Sequence, residues 1–198
     1  MYKVILLAVP GAGKSTILKR ISERVENVKI VNFGDVMFEE ARKIGIKSRD
    51  DMRRLVDSDT YVRIQEKAAE SIGSIEGKVV VDTHAAVKTP KGYYPGLPPH
   101  VTQRIKPLSI IFLDFRPEDI VARRMKDNTA GVRRREHESL EEIDEHQRIS
   151  LSYAVAASAY SSCYFVKFSL RYAETYPFQH VDDAASKLIH YLATLEGG

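Results

Sequence analysis

Residues 8–15 read AVPGAGKS and depart at one position from the pattern G-x-x-x-x-G-K-[ST], which binds nucleotide phosphates. Glycine at positions 11 and 13 allows the backbone amides to turn towards one anion. Lys14 supplies a mobile cation for the outer phosphates. Ala8 replaces the first glycine of the pattern. A methyl group fits there if the residue keeps β-region dihedrals, so the spacing still predicts a phosphate-binding loop.

The segments on either side are those that such a loop requires. Residues 3–9, KVILLAV, predict a buried strand before it, and the apolar residues Ile17 and Leu18 belong to a predicted helix after it. The hydroxyl of Ser15 or Thr16 can hold Mg²⁺, and the positive end of the helix faces the anion. The alternative is an ordinary glycine-rich turn, which leaves the lysine and the hydroxyls as coincidences.

A carboxylate follows another apolar run. VVVDTH, residues 79–84, ends a predicted buried strand with Asp82, which can anchor the water shell of Mg²⁺ opposite Lys14. The alternative for Asp82 is an aspartate that caps the strand end. His84 either orients a phosphate or makes an ordinary hydrogen bond at the strand end, and both interpretations stay open.

Arginine is concentrated in three short segments. The planar guanidinium group binds phosphate oxygens in bidentate fashion, and a reaction between two nucleotides must neutralise many negative charges. The positions predict a helical excursion that holds an acceptor and a basic flap that closes over a donor. For any single arginine the alternative is a solvated surface side chain. The clusters are Arg49, Arg53 and Arg54; Arg123 and Arg124; and Arg133, Arg134 and Arg135.

The elements that must position these residues follow from five apolar runs that alternate with helical patterns. Near-continuous apolarity is typical of strands covered on both faces, so the alternation predicts a doubly wound α/β fold with its ligand at the carboxyl ends of the strands. Asp57 or Ser58 can cap one helix, and Ser139 with Glu142 forms a capping box before another. The predicted strands are residues 3–9, 28–33, 78–83, 108–115 and 163–170.

Three segments fit the sheet less well. Residues 34–56 are helical in pattern but charged, and residues 126–138 are short, polar and basic, so we expect both to leave the core. Residues 88–100 are rich in proline and glycine and predict either a plain surface loop or a rigid loop that lines the acceptor pocket.

Bulk composition narrows the class of protein. A length of 198 residues suits one domain, and a formal net charge of +3 suits anionic ligands without implying nucleic acid or a membrane. The single cysteine, Cys163, excludes an internal disulfide and a zinc site built from several thiolates. The first apolar run is too short for a signal peptide or a membrane span, so we expect a cytoplasmic protein.

Six motifs run in order along the chain: VPGAGKST (9–16), VNFGDVMFEEA (31–41), RDDMRRL (49–55), VVDTHAAVKTPKGYYPGLP (80–98), RRMKD (123–127) and EIDEHQ (142–147). Together they resemble the archaeal adenylate kinases nearly end to end. The resemblance implies one kinase domain over residues 1–198 with a P-loop fold and a five-stranded parallel sheet, a nucleotide-monophosphate-binding region at about 34–75 and a short lid at about 126–138. It implies Mg²⁺-dependent transfer from ATP to AMP, giving two ADP, without zinc. It also favours a homotrimer.

The resemblance assigns roles by position. Ser15 would hold Mg²⁺ directly and Asp82 through water, while Arg53, with Arg54 as second choice, would bind the AMP phosphate. The catalytic assignments are Lys14, Asp82, Arg124 and Arg135, the last taken from three consecutive arginines between which the sequence does not decide. The nucleotide-binding assignments are Ala8, Val9, Pro10, Gly11, Ala12, Gly13, Lys14, Ser15, Thr16, Gly34, Asp35, Arg53, Arg54, His84 and Arg133.

Some alternatives stay open. Other adenylate kinases carry an arginine soon after the position of Asp82, whereas this chain offers His84, Lys88 and Lys91, so that role is unassigned. A kinase for another nucleoside monophosphate or a small alcohol is the nearest alternative function, because the base pocket cannot be read from the sequence. A GTPase switch would need the tetrapeptide N-K-x-D, which does not occur. A nucleic-acid-binding role has only the basic lid in its favour.

Overall fold

A computed structural model describes residues 1–54, 57–129 and 138–196. Strands and helices alternate through most of these residues. The strands are β1 (Tyr2–Leu7), β2 (Val28–Asn32), β3 (Lys78–Thr83), β4 (Ala86–Thr89), β5 (Gly92–Pro95), β6 (Ser109–Phe115) and β7 (Tyr164–Leu170). The helices are α1 (Lys14–Arg24), α2 (Phe33–Lys43), α3 (Arg49–Arg54), α4 (Ser58–Gly73), α5 (Pro99–Ile105), α6 (Pro117–Thr129), α7 (Leu140–Ser161) and α8 (Gln179–Thr194).

Five of the strands form one parallel sheet in the order β2-β3-β1-β6-β7, which confirms the predicted five-stranded α/β fold. β1 and β6 lie inside the sheet, and every residue of β6 is buried, as a continuous apolar run requires. Side chains alternate between the two faces of β1. Leu6 packs in a core with Ile21 of α1 and Leu188 of α8, whereas Leu7 packs in a second core with Ile72 of α4.

The register of the sheet brings three strand ends to one place. Asn32 at the end of β2 lies beside Asp82 of β3, and Leu6 of β1 lies on the other side of Asp82. Because all three strands run in the same direction, their carboxyl ends and the loop that follows β1 share one edge of the sheet. The fold therefore places Asp82 beside residues 8–15, which we call the glycine-rich loop.

The helix ends agree with the local sequence signals. Asp57, rather than Ser58, caps α4 by accepting a hydrogen bond from the amide of Thr60 over 2.9 Å. The predicted capping box is present, since the side chain of Ser139 accepts from the amide of Glu142 and the carboxylate of Glu142 accepts from the amide of Ser139. Both contacts satisfy amides that the first turn of a helix leaves open.

The three irregular segments have more structure than the sequence indicated. Residues 34–56 contain most of α2 and all of α3, as expected of a helical excursion. Residues 88–100 were predicted as a loop, and this was wrong, because they contain most of an antiparallel β4–β5 hairpin and the start of α5. Within residues 126–138, α6 continues to Thr129, and residues 130–137 lie outside the described part of the chain.

Candidate active site

The glycine-rich loop forms a turn that leaves backbone amides open at the start of α1. Gly11 and Gly13 both have a φ of 87°, a left-handed conformation that strains any residue with a Cβ. Gly13 is the N-cap of α1 and supplies no side chain to bond the first amides of the helix. With the positive end of the helix dipole, these amides form an anion-binding position. Beside them, the side chains of Ser15 and Thr16 are exposed.

The first part of the loop accommodates the departure from the glycine pattern. Ala8 is buried, and it is not among the residues with positive φ, so its methyl group costs no backbone strain. Val9 is also buried, and its carbonyl oxygen accepts a hydrogen bond from the amide of Ala12 over 3.3 Å. The turn is thus closed by its own main chain before α1 begins.

Lys14, the first residue of α1, is buried in an ion pair. Its Nζ lies 2.6 Å from Oδ1 of Asp82 and also donates to the main-chain oxygens of Thr83 and, at 3.4 Å, Leu6. The side chains of Lys14 and Asp82 are 8% and 15% exposed. Burial lowers the pKa of Lys14, although the neighbouring Asp82 charge opposes this effect. The structure therefore places the predicted phosphate-binding cation and the predicted magnesium carboxylate side by side.

Asn32 holds Asp82 from the opposite direction, and the sequence analysis did not single it out. Its Nδ2 donates to Oδ2 of Asp82 over 2.7 Å, while its Oδ1 accepts from the amide of Asp35 over 3.0 Å and so caps α2. These two contacts fix which side of the amide faces the carboxylate. A signal was present in the sequence, because an asparagine at the end of a strand, three residues before an aspartate, is a typical N-cap.

His84 makes the ordinary hydrogen bond that was one of its two interpretations. Its Nδ1 lies 2.6 Å from the carbonyl oxygen of Ala8. A carbonyl oxygen can only accept, so Nδ1 carries the proton and Nε2 of the neutral ring is an acceptor. Burial, and then the charge of Lys14, lower the pKa of His84 to about 3, so the ring is neutral at pH 7. In this tautomer, Nε2 has no proton to donate to a phosphate oxygen.

Arg123 and Arg124 of α6 both bind main-chain carbonyl groups of the glycine-rich loop. Arg123 Nη1 donates to the oxygen of Ala12 over 2.9 Å, and Arg124 donates to the oxygen of Pro10 through Nε at 3.0 Å and Nη2 at 2.7 Å. Arg124 also donates to Glu138 and is 7% exposed. Its guanidinium is thus fully engaged here, and the predicted contact between Arg124 and a transferring phosphate stays a prediction.

Glu138 connects this arginine with the hairpin. Besides Arg124, it accepts a hydrogen bond over 2.9 Å from Nζ of Lys88, which also lies 3.3 Å from a carboxylate oxygen of Glu142. Burial alone would raise the pKa of Glu138, but hydrogen bonds from Lys88 and Arg124 outweigh it and hold the pKa below its usual value. Lys88, a candidate for the role of the missing arginine, is therefore paired with two carboxylates.

The residues assigned to the acceptor lie at the start of α2 and in α3. A Cβ at Gly34 would lie 3.2 Å from Oδ1 of Asn32, a tight contact, and 3.9 Å from Nη1 of Arg49, an ordinary one, so the glycine keeps the N-cap of α2 uncrowded. Asp35 is exposed and forms an ion pair with Arg49. Arg53 and Arg54 belong to α3, and their side chains lie outside the described part of the structure.

The remaining assignments concern the lid. Arg133 and Arg135 fall within residues 130–137, outside the described residues, so their roles stay predictions. The described residues that border this segment are the end of α6, which carries Arg123 and Arg124, and Glu138. Glu138 accepts a hydrogen bond from Arg124, which in turn donates to the carbonyl oxygen of Pro10 in the glycine-rich loop.

The chain is similar to known proteins over most of its length. Residues 7–144 match a family model described as an AAA domain. An adenylate kinase from Pyrobaculum aerophilum is 42% identical over 193 residues, which cover 96% of this chain and 96% of that one. One from Thermoplasma acidophilum is 42% identical over 79% of this chain and 83% of its own, and one from Pyrococcus furiosus is 35% identical over 96% and 95%.

Two solved structures share the fold at low sequence identity. Shikimate kinase from Acinetobacter baumannii in complex with shikimate gives a TM-score of 0.56 at 14% identity, covering 98% of this chain and 94% of that one. A putative kinase from Chloroflexus aurantiacus gives a TM-score of 0.54 at 13% identity, covering 98% and 96%. These likenesses confirm the kinase type of α/β fold.

Proposed function

The chain belongs to the archaeal adenylate kinase family, and on that premise we propose that it catalyses the reversible conversion of ATP and AMP into two ADP. Membership of the family, and with it the phosphotransferase class, was predicted from the sequence and is confirmed by the relatives at 35–42% identity. The observation that carries the proposal is the ion pair of Lys14 and Asp82 beside the open amides of α1. In this pair, the cation proposed to bind phosphate lies next to the carboxylate proposed to serve a metal ion.

Mg²⁺ would enter with ATP. The carboxylate of Asp82 and the exposed hydroxyl of Ser15 are hard oxygen donors of the kind that Mg²⁺ prefers, and both lie at the loop edge of the sheet. When bound there, Mg²⁺ would supply positive charge against the phosphates. We assign Ser15 to the ion directly and Asp82 to its water shell.

The transfer itself requires positioning and charge neutralisation rather than a covalent intermediate. An oxygen of the AMP phosphate attacks the terminal phosphorus of ATP in line, while the bond from that phosphorus to the bridging oxygen breaks, so that ADP leaves and AMP becomes the second ADP. Lys14 exchanges Asp82 for the outer phosphates, and the amides of Gly11, Gly13 and Lys14 hold the triphosphate in place. Arg124 and one arginine of residues 133–135 would neutralise charge from the lid, which excludes water as it closes.

The acceptor would lie on the α2 and α3 side of the loop, in the region proposed at about residues 34–75. Gly34 lies at the start of α2, close to Arg49 of α3, and Arg53 is our first choice for the AMP phosphate. Arg53→Ala should raise the KM for AMP far more than the KM for ATP, because a bidentate phosphate contact is lost on one nucleotide alone. Steady-state kinetics with each nucleotide varied in turn measure this. An unchanged KM for AMP, together with a raised KM in Arg54→Ala, would move the assignment to Arg54.

A coupled assay of ADP formation tests the function. Purified protein is given ATP and Mg²⁺ with AMP, CMP, UMP and GMP in turn, and we expect AMP to be the preferred acceptor. Lys14→Ala should reduce turnover by about 10²–10³-fold or more, whereas Lys19→Ala, an exposed lysine of the same helix, should not. Thermal melting checks that both variants are folded. Normal turnover in Lys14→Ala would refute the role of Lys14, and a preference for another acceptor would make the enzyme a different nucleoside monophosphate kinase.

The homotrimer and the cytoplasmic location are further parts of the proposal. Among the described helices, none combines the length and apolarity needed to cross a membrane. Light scattering at micromolar concentration tests the assembly. A mass three times that of the 22.4 kDa chain would support the trimer, and the mass of a single chain would contradict it.

A further inference from the structure

Arg123 links the glycine-rich loop to a histidine of α8 that has no exposed surface. Nη1 of Arg123 donates to the carbonyl oxygen of Ala12 over 2.9 Å, and Nη2 donates to Nδ1 of His180 over 2.8 Å. Nε2 of His180 donates to the main-chain oxygen of Tyr172 over 2.8 Å. Because a guanidinium only donates and a carbonyl only accepts, these two contacts use Nδ1 as an acceptor and Nε2 as a donor. Every polar atom in this chain of contacts therefore has a partner.

The surroundings hold this guanidinium in one orientation. It lies over the ring of Phe115, 5.0 Å from the ring centroid, and 3.6 Å from a carboxylate oxygen of Glu174. The same oxygen of Glu174 accepts a hydrogen bond from the amide of His180 over 2.8 Å. A planar guanidinium with two directed hydrogen bonds, an aromatic face and a counter-charge has little freedom to turn.

Because a peptide group is planar, the contact between Arg123 and the carbonyl of Ala12 also sets the direction of the next amide. In a trans peptide, the carbonyl of one residue and the N–H of the next point in opposite directions. By holding the carbonyl of Ala12, Arg123 directs the N–H of Gly13 away from α6, towards the open amides at the start of α1. Arg124 does the same for the peptide two positions back, since its hold on the carbonyl of Pro10 turns the N–H of Gly11.

We propose that Arg123, held by His180, is a positioning residue for ATP: it fixes the peptide between Ala12 and Gly13 so that the Gly13 amide faces a phosphate. Arg123 does this from behind the loop, without contact with the nucleotide. The inference rests on the proposed function, because it concerns the loop that binds ATP. It separates Arg123 from the phosphate-binding arginines with which its position in the sequence grouped it.

Calorimetric titrations of wild type and variants with ATP and, separately, with AMP test the proposal. Arg123→Ala should raise the Kd for ATP about 10- to 100-fold, the loss expected for a charge-assisted hydrogen bond, and should change the Kd for AMP by less than about twofold. Arg123→Lys keeps the charge but cannot hold both partners, so we expect most of the loss to remain. The matched control is Arg20→Ala, because Arg20 of α1 pairs with Asp182 of α8 over 3.2 Å. Its Kd for ATP should equal that of wild type.

Variants of His180 distinguish positioning from direct contact. His180→Asn retains an acceptor close to the position of Nδ1 and should bind ATP nearly as wild type does. His180→Phe removes that acceptor and should weaken ATP binding although residue 180 does not reach the nucleotide. Combined with Arg123→Ala, it should add little, because the two residues act in series. The amide resonance of Gly13 in nucleotide-free protein should shift in Arg123→Ala and stay in place in Arg20→Ala, a readout independent of activity.

The outcomes separate this inference from the proposed function. If wild type binds ATP and Arg123→Ala binds it equally well, the inference is wrong and the proposed function stands. If Arg123→Ala weakens binding while folded His180→Phe does not, Arg123 contacts the nucleotide directly and the inference is again wrong. If His180→Phe does not fold, the Gly13 amide resonance of nucleotide-free Arg123→Ala decides in its place: a shift supports the inference, and a resonance that stays where it is in wild type makes it wrong. If wild-type protein does not bind ATP, the inference and the proposed function are both wrong.

Discussion

Asp82→Asn should strengthen the binding of metal-free ATP and at the same time weaken magnesium-dependent turnover. In the nucleotide-free protein, the carboxylate of Asp82 holds the ammonium of Lys14 at 2.6 Å. A triphosphate that recruits Lys14 must first take it from Asp82. The substitution removes this competitor, and it also removes the group that we assign to the water shell of Mg²⁺, so the two effects have opposite signs.

The magnitude follows from the burial of the pair. A solvent-exposed ion pair contributes less than about 1 kcal/mol, but the side chains of Lys14 and Asp82 are 8% and 15% exposed. A charge-assisted contact in such a site contributes about 1.5–3 kcal/mol. Because wild type gives up this contact when ATP binds, the variant should bind metal-free ATP about 10- to 100-fold more tightly.

Calorimetry with ATP in EDTA measures the first effect, and the coupled assay with excess Mg²⁺ measures the second. Asp114→Asn is the matched control, since Asp114 of β6 is also buried and ion-paired, but with Arg171 at 2.7 Å and Lys167 at 3.3 Å rather than with Lys14. Its affinity for metal-free ATP should not change. An Asp82→Asn variant with unchanged or weaker affinity in EDTA would refute the competition between carboxylate and phosphate.

Two further substitutions test the contacts around this pair. Asn32→Ser keeps an acceptor for the amide of Asp35 but loses the donor to Asp82, so we expect a raised Mg²⁺ requirement with little change in stability. Asn32→Ala also loses the cap of α2. We expect this to lower the free energy of unfolding, measured in urea, by about 1 kcal/mol. An unchanged Mg²⁺ titration in Asn32→Ser would contradict this. Glu138 has a pKa below its usual 4.5 in the folded chain, so its stabilisation is complete above the unfolded pKa and is lost as pH falls through the folded one. The free energies of unfolding of wild type and Glu138→Gln should therefore differ by a constant amount down to about pH 5 and converge as the pH falls below 4.5, and a difference that stays constant through this lower range would show that the charge of Glu138 does not matter.

The sheet was predictable because its three inner strands, β1, β3 and β6, are apolar runs that the fold largely buries, whereas the edge strands β2 and β7 are only partly buried. β6, the clearest case, starts within one residue of its predicted position and is buried at every residue. The β4–β5 hairpin gave no such signal, since its strands have four residues each and pair the polar Lys88 with Tyr93. Part of its support comes from α7, where the hydroxyl of Tyr153 donates to the carbonyl of Tyr93 over 3.1 Å. A partner 60 residues away leaves no periodic pattern in the hairpin itself.

The site was predictable where its chemistry is local in sequence. Adjacent residues set the conformation of the glycine-rich loop, and the strand pattern alone places Asp82 at the loop edge. The direction of Arg124 and the tautomer of His84 were not predictable, because their partners are the main-chain carbonyls of Pro10 and Ala8, 114 and 76 residues away. Residue type showed that a cation or an imidazole was present, but the packing of α6 and β3 against the loop decides what it binds.

Asp82 contacts both the glycine-rich loop and the start of α2. Its Oδ1 pairs with Lys14 at the loop, and its Oδ2 accepts from Asn32, the cap of α2. When phosphate takes Lys14, the loop-side partner leaves while Asn32 still orients the carboxylate, so one oxygen becomes available to the water shell of Mg²⁺ as the metal arrives with ATP. We therefore propose two roles for this carboxylate, holding the lysine before ATP binds and serving the metal afterwards. A residue with the metal role alone would give a substitution that lowers turnover and leaves the binding of metal-free ATP unchanged, and one with the lysine role alone would tighten that binding without raising the Mg²⁺ requirement.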